Sequence, residues 1–204
     1  MSLRERKRER TRQAIVAAAA DLIERRGYER TTVADIAAAA EIGTRTFFSY
    51  FPTKEDVLFP EADDRVRVTV AAIESRSPSE GPAAVLVRAL REVAESSADL
   101  TGRMARLRLR LMHSVPAVRG RGLLIQMDAQ REIARHLAAA YPSQLDAVSA
   151  GALAGALTGA VTGALQALFD DPSQWDDPDV IRSAVERATA IALAPWGDSG
   201  DGAV

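Results

Sequence analysis

Residues Thr31 to Phe51 read TTVADIAAAAEIGTRTFFSYF, and this stretch decides the fold. Thr32-Val33-Ala34-Asp35 has the form of a capping box, with Asp in the place of the usual Glu or Gln. It predicts a short helix through Ala40. Glu41-Ile42-Gly43 then interrupts the pattern, and a second short helix is predicted from Thr44 to Phe51. Two short helices joined by a three-residue turn make a helix-turn-helix. Val33, Ile36, Ala37, Ala40, Ile42, Phe47 and Phe51 supply its small core, with Ala37 and Ala40 letting the helices cross closely. The outward side of the second helix then carries Thr44, Arg45, Thr46, Ser49 and Tyr50. Such side chains suit base edges and phosphates, and arginine is the best bidentate partner of guanine.

Upstream, Ile15, Ala18, Ala19, Leu22 and Ile23 recur at helical spacing and predict a helix from Thr11 to Arg26. Arg25 and Arg26 favour its C-terminal end, and Gly27 stops it. Downstream, Pro52-Thr53-Lys54-Glu55-Asp56 repeats the start signal and predicts a longer helix towards Ser75, bent at Pro60. Ser77-Pro78-Ser79-Glu80-Gly81-Pro82 reads as a linker. Further helices are predicted over 83–98, 102–114, 117–140, 145–169 and 178–194, separated by Pro116, Pro142 and the Asp-Asp-Pro clusters at Asp170 and Asp176. No stretch reads as a strand. The expected fold is all-α with about nine helices. An N-terminal arm and DNA-binding domain would occupy 1–54, a helical bundle 55–196, and a frayed tail 197–204.

The bulk chemistry narrows the function. The 204 residues are 47% hydrophobic and 26% charged, which suits a soluble globular chain. There is no cysteine, so disulfides, thiolate nucleophiles and Cys-ligated metals are excluded. The two histidines, His113 and His136, lie outside any metal-spaced cluster, and no Gly-rich phosphate loop of the P-loop type is present. No enzyme, metal or cofactor is expected. The start runs straight into charge without an apolar signal stretch, so the cytoplasm is the expected location. Residues 1–54 hold 11 basic against 7 acidic residues, a net of +4, while the rest carries a net of −6. Arg4, Arg6, Lys7, Arg8, Arg10 and Arg12 concentrate that charge, which suits a polyanion at one end or simply a solvated tail.

The run Gly27-Tyr28-x-x-Thr31-Thr32-Val33-x-x-Ile36-Ala37 and the run Thr46-Phe47-Phe48-x-Tyr50-Phe51-x-x-Lys54-Glu55-x-x-Leu58 together resemble the DNA-binding domain of the tetracycline-repressor (TetR) family. The resemblance covers residues 11–59. It implies that Thr32, Tyr50 and Lys54 contact phosphates while Thr44, Arg45 and Thr46 face the major groove. Two positions depart from the family pattern. Glu41 replaces a turn glycine, which implies a strained or reshaped turn. Phe48 lacks the hydroxyl that a tyrosine presents there, so Phe48 is expected to pack with Phe47 and Phe51.

Between Asp146 and Asp170 the chain is uncharged over a length that would also span a membrane. It contains the four-residue repeat GALA-GALT-GAVT-GALQ, which stacks Gly151, Gly155, Gly159 and Gly163 on one helix face. Gly and Ala supply little transfer energy and no basic anchor flanks the stretch, so a soluble helix is expected. The resemblance implies that the last two long helices form a homodimer interface. Its other side would carry Ile181, Ala184, Val185 and Ala188.

The resemblance also implies an effector pocket within helices 83–140, with Leu100, Met104, Leu107, Arg108, Leu111, Met112, His113, Leu123, Leu124 and Met127 as lining candidates. For each apolar residue ordinary core is the simpler role. Arg103, Arg106, Arg108 and Arg110 cannot share one helix face; some must be solvated or acid-paired, leaving one or two for an acidic ligand. Phe47–Phe59 is similar to mycofactocin-type TetR regulators, which makes acyl-CoA esters candidate effectors. The expected function is therefore a homodimeric, effector-released repressor on a palindromic operator of double-stranded DNA. A constitutive DNA-binding protein without effector and an activator are the alternatives.

Overall fold

In the computed structural model, helix formation begins earlier than the apolar pattern indicates. The structure describes residues 2–96, 102–169 and 177–196. Helix α1 spans Leu3–Arg26 because Ser2 and Glu5 form a reciprocal capping box that starts it eight residues ahead of Thr11. The basic segment is thus helix, not a loose arm. It stops at Gly27, whose φ of +83° and ψ of 158° suit glycine alone, and whose N–H bonds the Ile23 carbonyl at 2.8 Å.

Eight more α-helices follow among the described residues: α2 Val33–Ala39, α3 Thr44–Tyr50, α4 Ala62–Glu74, α5 Pro82–Ser96, α6 Arg103–Ser114, α7 Pro116–Ala140, α8 Ala147–Phe169 and α9 Pro178–Leu193. Short 3₁₀ turns occupy Glu55–Leu58 and Ala194–Trp196, and no strand occurs among these residues. The fold is all-α. The long helix expected from Thr53 to Ser75 is broken in two. Thr53 and Asp56 do form the expected reciprocal bonds, at 2.9 and 3.3 Å, but the turn they start ends at Phe59-Pro60. Proline at 60 has no N–H to continue the ladder, and α4 restarts beyond it. The frayed tail expected at 197–204, the acidic clusters at Asp170 and Asp176, and Leu100 lie outside the described residues.

By packing, the chain divides into two compact units. One comprises Met1–Pro60 with Arg103–Gly122, the other Glu61–Gly102 with Leu123–Val204. In the first, Ile15, Ile36, Phe47, Val57, Leu58, Leu107 and Val118 are fully enclosed. Arg103 of α6 pairs with Asp21 and Glu24 of α1, both at 2.6 Å. Arg108, only 7% exposed, donates to the Leu58 carbonyl at 3.1 Å and sits over the Phe59 ring. Arg121 bonds the buried Asp56 carboxylate at 2.6 Å. Gly122 allows a close approach: a Cβ there would lie 2.8 Å from Met112 Cε and 3.2 Å from Phe59.

In the second unit, Ile73, Val85, Leu86, Leu137, Leu153 and Leu193 anchor the core. The segment 77–82, expected as a linker, is a loop within this unit. Tyr141 donates to the Glu80 carbonyl at 3.0 Å, and Arg88 bridges the Glu80 carboxylate, Glu92 and the Ala72 carbonyl. Helix α8 buries Leu153, Ala154, Leu157, Ala164 and Leu168, and packs on α9. By length and composition α8 is long and apolar enough to cross a membrane, with a mean hydropathy of 1.5 over its apolar window.

Candidate nucleic-acid interface

Helix α2 is started by Thr32, whose hydroxyl accepts from the Asp35 N–H at 3.1 Å while the Asp35 carboxylate accepts from the Thr32 N–H at 2.9 Å. The Thr32 hydroxyl also donates to Asp35 at 2.6 Å, which holds that carboxyl below the usual carboxylate range. Thr32 is exposed but works first as a cap. The chain then leaves α2 through Glu41 at φ +55°, the one non-glycine residue with positive φ among those described. That is the reshaped turn implied by the missing glycine, and the Ile42 N–H closes it onto the Ala37 carbonyl at 2.9 Å. A left-handed glutamate costs roughly 1–2 kcal/mol relative to glycine.

Helix α3 is fixed by one side chain. Phe47 is fully enclosed, and with 100° between successive residues Arg45 and Ser49 fall nearly opposite it. Thr44, Arg45, Thr46 and Ser49 are all exposed, so the expected reading face is open to solvent. The Ser49 hydroxyl donates to the Thr46 carbonyl at 2.6 Å, leaving its oxygen lone pairs outward. Tyr50 is half-buried, with the Arg8 guanidinium 5.6 Å from its ring centroid.

Phe48 is where the expectation fails. It is 52% exposed and touches Phe47 only edge to face, with centroids 5.5 Å apart. One residue beyond Phe47 is a rotation of 100°, too far round α3 to share its core. Sequence reasoning grouped Phe48 with its neighbours by type; the helical angle is the signal that separates them.

Lys54 is held inside the domain. Its Nζ donates to the Tyr28 and Thr31 carbonyls, both at 3.1 Å, and lies 3.7 Å from the Tyr28 ring centroid. The Tyr28 hydroxyl donates to the Glu55 carboxylate. Burial and that bond push the Tyr28 phenol well above its ordinary range. Burial alone would raise Glu55, but bonds from Tyr28 and Thr53 outweigh it and hold the carboxyl low. Lys54 and Tyr28 therefore tie the 3₁₀ turn to the α1–α2 connection, with two of the three ammonium donors used internally.

The effector candidates are divided between the two units. Met104, Leu107, Arg108 and Leu111 are buried in the first unit, where Met112 is half-buried and His113 exposed. Leu124 and Met127, in the second unit, are 54% and 57% exposed on α7, beside exposed Leu123. On the expected dimer face, Gly151, Gly155, Gly159 and Gly163 have no atom within 4 Å of an added Cβ, so this side of α8 is uncovered among the described residues. Ile181 and Ala184 are instead buried within their own chain, while Val185 and Ala188 are half-buried.

Residues 15–59 match the family described as bacterial regulatory proteins, tetR family, and residues 80–191 match the family described as the MftR C-terminal domain. The chain is 32% identical over 149 residues to the HTH-type transcriptional regulator TcmR of Streptomyces glaucescens. That alignment covers 71% of this chain and 66% of TcmR, just under two thirds of the relative's length. Among solved structures, the SmeT–triclosan complex superposes with a TM-score of 0.60 at 19% identity, covering 93% of each chain; SmeT is the repressor of a Stenotrophomonas maltophilia multidrug efflux pump. FadR of Thermus thermophilus with lauroyl-CoA gives a TM-score of 0.53 at 19% identity, covering 95% of this chain and 98% of that one. At these identities the two structures share the fold.

Proposed function

The chain belongs to the tetR family of bacterial regulatory proteins, and on that premise we propose that it is a homodimeric repressor whose α3 reads a palindromic operator. The observation that carries this is the exposed quartet Thr44, Arg45, Thr46 and Ser49 on a short helix pinned from behind by Phe47. Arg45 supplies a bidentate partner for guanine, and the threonines are short enough to let α3 seat deeply. Phe48 adds an apolar edge beside Arg45, suited to a thymine methyl group. Thr32 and Tyr50 contribute phosphate contacts at the ends of the motif; Lys54 acts from within, by holding the motif together.

The uncovered glycine face of α8 supports the homodimer. Interior glycine costs a helix roughly 1 kcal/mol relative to alanine, and close packing against a second copy offsets that cost. The same face covers the apolar stretch of α8 with protein instead of lipid, in keeping with a cytoplasmic regulator. A two-fold dimer sets its reading helices about 34–36 Å apart, one DNA turn, which is why the operator is palindromic.

Release would follow when an effector binds the C-terminal half in the state with lower DNA affinity. The break at Phe59-Pro60 makes α4 a separate lever from the 3₁₀ turn, so a shift of α4 need not bend a continuous helix. Acyl-CoA esters are the effector class proposed. The test is fluorescence anisotropy on DNA from the upstream region of the protein's own gene, against scrambled DNA, with Arg45→Ala alongside and lauroyl-CoA titrated in. Specific binding at least about a thousandfold above nonspecific, lowered by about 1–3 kcal/mol in Arg45→Ala, is expected. Equal binding of both duplexes by wild type, from a protein that selects no sequence from a random pool, refutes the reader. Tight lauroyl-CoA binding that leaves operator affinity unchanged refutes release by that ligand.

A further inference from the structure

The apolar stripe of α1 changes character where the helix leaves the core. Ile15, Ala19, Ala20, Leu22 and Ile23 are its buried residues, and continuing the stripe of Ile15, Ala19 and Leu22 towards the N-terminus at helical spacing gives Arg12, Arg8 and Arg4. The face that is core in the last turns is guanidinium in the first. Arg12 lies 5.3 Å from the Phe51 ring centroid and Arg8 lies 5.6 Å from that of Tyr50, so this face runs past the C-terminal end of α3. Arg4 stands one turn further out and is exposed, as is Lys7 on the adjoining side. The two acids of the segment flank this face on the side away from Lys7 and are already engaged: Glu5 accepts from the Ser2 N–H at 2.7 Å, and Glu9 accepts from Gln13 at 3.0 Å. From Arg4 to Arg12 the face is about 12 Å long at 1.5 Å per residue.

We propose that the first turns of α1 form a second, sequence-independent DNA contact, in which Arg4, Lys7 and Arg8 grip the phosphate backbone flanking the bases met by α3. This rests on the DNA-reading role of α3. The occupant follows from charge and position. Six basic residues in the first twelve meet a partner that carries one negative charge per about 1.7 Å of axis. The capping box at Ser2 makes the grip a rigid rod, so less conformational freedom is lost on binding than for a loose arm. Arg8 and Arg12 fix its angle to the recognition helix through their aromatic contacts.

The test compares the full-length wild type with Arg4→Gln/Lys7→Gln, on a duplex that the wild type recovers from a random-sequence pool and on its scrambled counterpart. Affinity is measured across about 50 to 200 mM salt. The slope of log affinity against log salt should become shallower by about 0.9 for each lost contact, or about 1.8 per bound protomer. The preference for recovered over scrambled duplex should stay unchanged, because phosphate contacts carry no sequence information. Arg4→Lys/Lys7→Arg should keep the wild-type slope. Circular dichroism and melting should be the same for all three, since both side chains are exposed. An unchanged slope in the glutamine variant overturns the proposal. So does a lost preference at constant slope, which would mean that the extension only braces α3. Capture of an acidic protein segment in place of DNA overturns it as well. Failure of the wild type to recover any duplex removes the DNA-reading role itself, a result distinct from these.

Discussion

Lys54→Met separates two uses of one cation: a phosphate contact, as the family resemblance implies, or an internal tie. The ammonium donates two bonds to carbonyls of the α1–α2 connection and sits on the Tyr28 ring. Hydrogen bonds from a charged group are worth about 1.5–3 kcal/mol each, and a cation over an aromatic face adds about 0.5–1. Lys54 is half-exposed, so the lower ends apply, and loss of the set should cost about 3.5 kcal/mol. Methionine keeps the length of the stem, so little packing is lost with the charge. For a chain of this size 1 kcal/mol moves the melting temperature by about 2–4 °C, which predicts a fall of about 7–14 °C by circular dichroism. The salt slope of DNA binding, measured well below the melting range, should stay at the wild-type value. A melting temperature within about 2 °C of wild type, with a slope shallower by about 0.9 per protomer, would refute the internal tie and restore Lys54 to the phosphates.

Glu41 should respond with opposite signs to two substitutions. Asparagine tolerates positive φ and should stabilise by about 0.5 kcal/mol, whereas valine should cost about 1 kcal/mol more than glutamate; urea midpoints that shift the same way in both would show that the turn is unstrained. For pH, Tyr28 is raised in the fold, so its contribution is complete below its unfolded value near 10 and is lost as pH climbs beyond it. The stability gap between wild type and Tyr28→Phe should therefore narrow from pH 9 to pH 11, and a constant gap would discount the buried phenol. Asp35 and Glu80 are lowered in the fold, by bonds from Thr32 and from Arg88 respectively, so their contribution is present above the ordinary carboxylate value and fades as pH falls below about 4.5. Asp35→Asn should accordingly show a shallower acid loss in urea midpoints than wild type, and an equal loss would remove Asp35 from the account. Gly159→Leu should improve helix propensity by about 0.8–1 kcal/mol, and its Cβ has no described atom within 4 Å, so helicity should hold or rise. Light scattering should nonetheless report monomer; a dimer with unchanged affinity would place the interface elsewhere.

What was legible in the chain depended on whether a residue's partner was near it in sequence. Capping, turn chemistry and helical periodicity act within four residues, and the order of helices from α2 to α9 follows from them almost unaided. Thr32 and Asp35, three apart, behave as the pattern states. The same local logic applied one step too early misplaced the start of α1. The apolar periodicity begins with Ile15, and the Ser2–Glu5 box that sets the true start precedes a run of charge that resembles a tail. Lys54 shows the opposite limit. Its carbonyl partners are 26 and 23 residues away, so only the folded chain could show that a residue placed for phosphate is turned inward. Ile181 and Ala184 fall under the same limit, for which side of α9 meets α8 depends on how the pair is rotated, and periodicity gives a stripe without saying what covers it. Phe48 could have been placed by angle alone once Phe47 was taken as core. The candidate reading face was legible for a related reason. On a seven-residue helix, one enclosed phenylalanine determines which residues face away, and those residues meet whatever the helix is presented to.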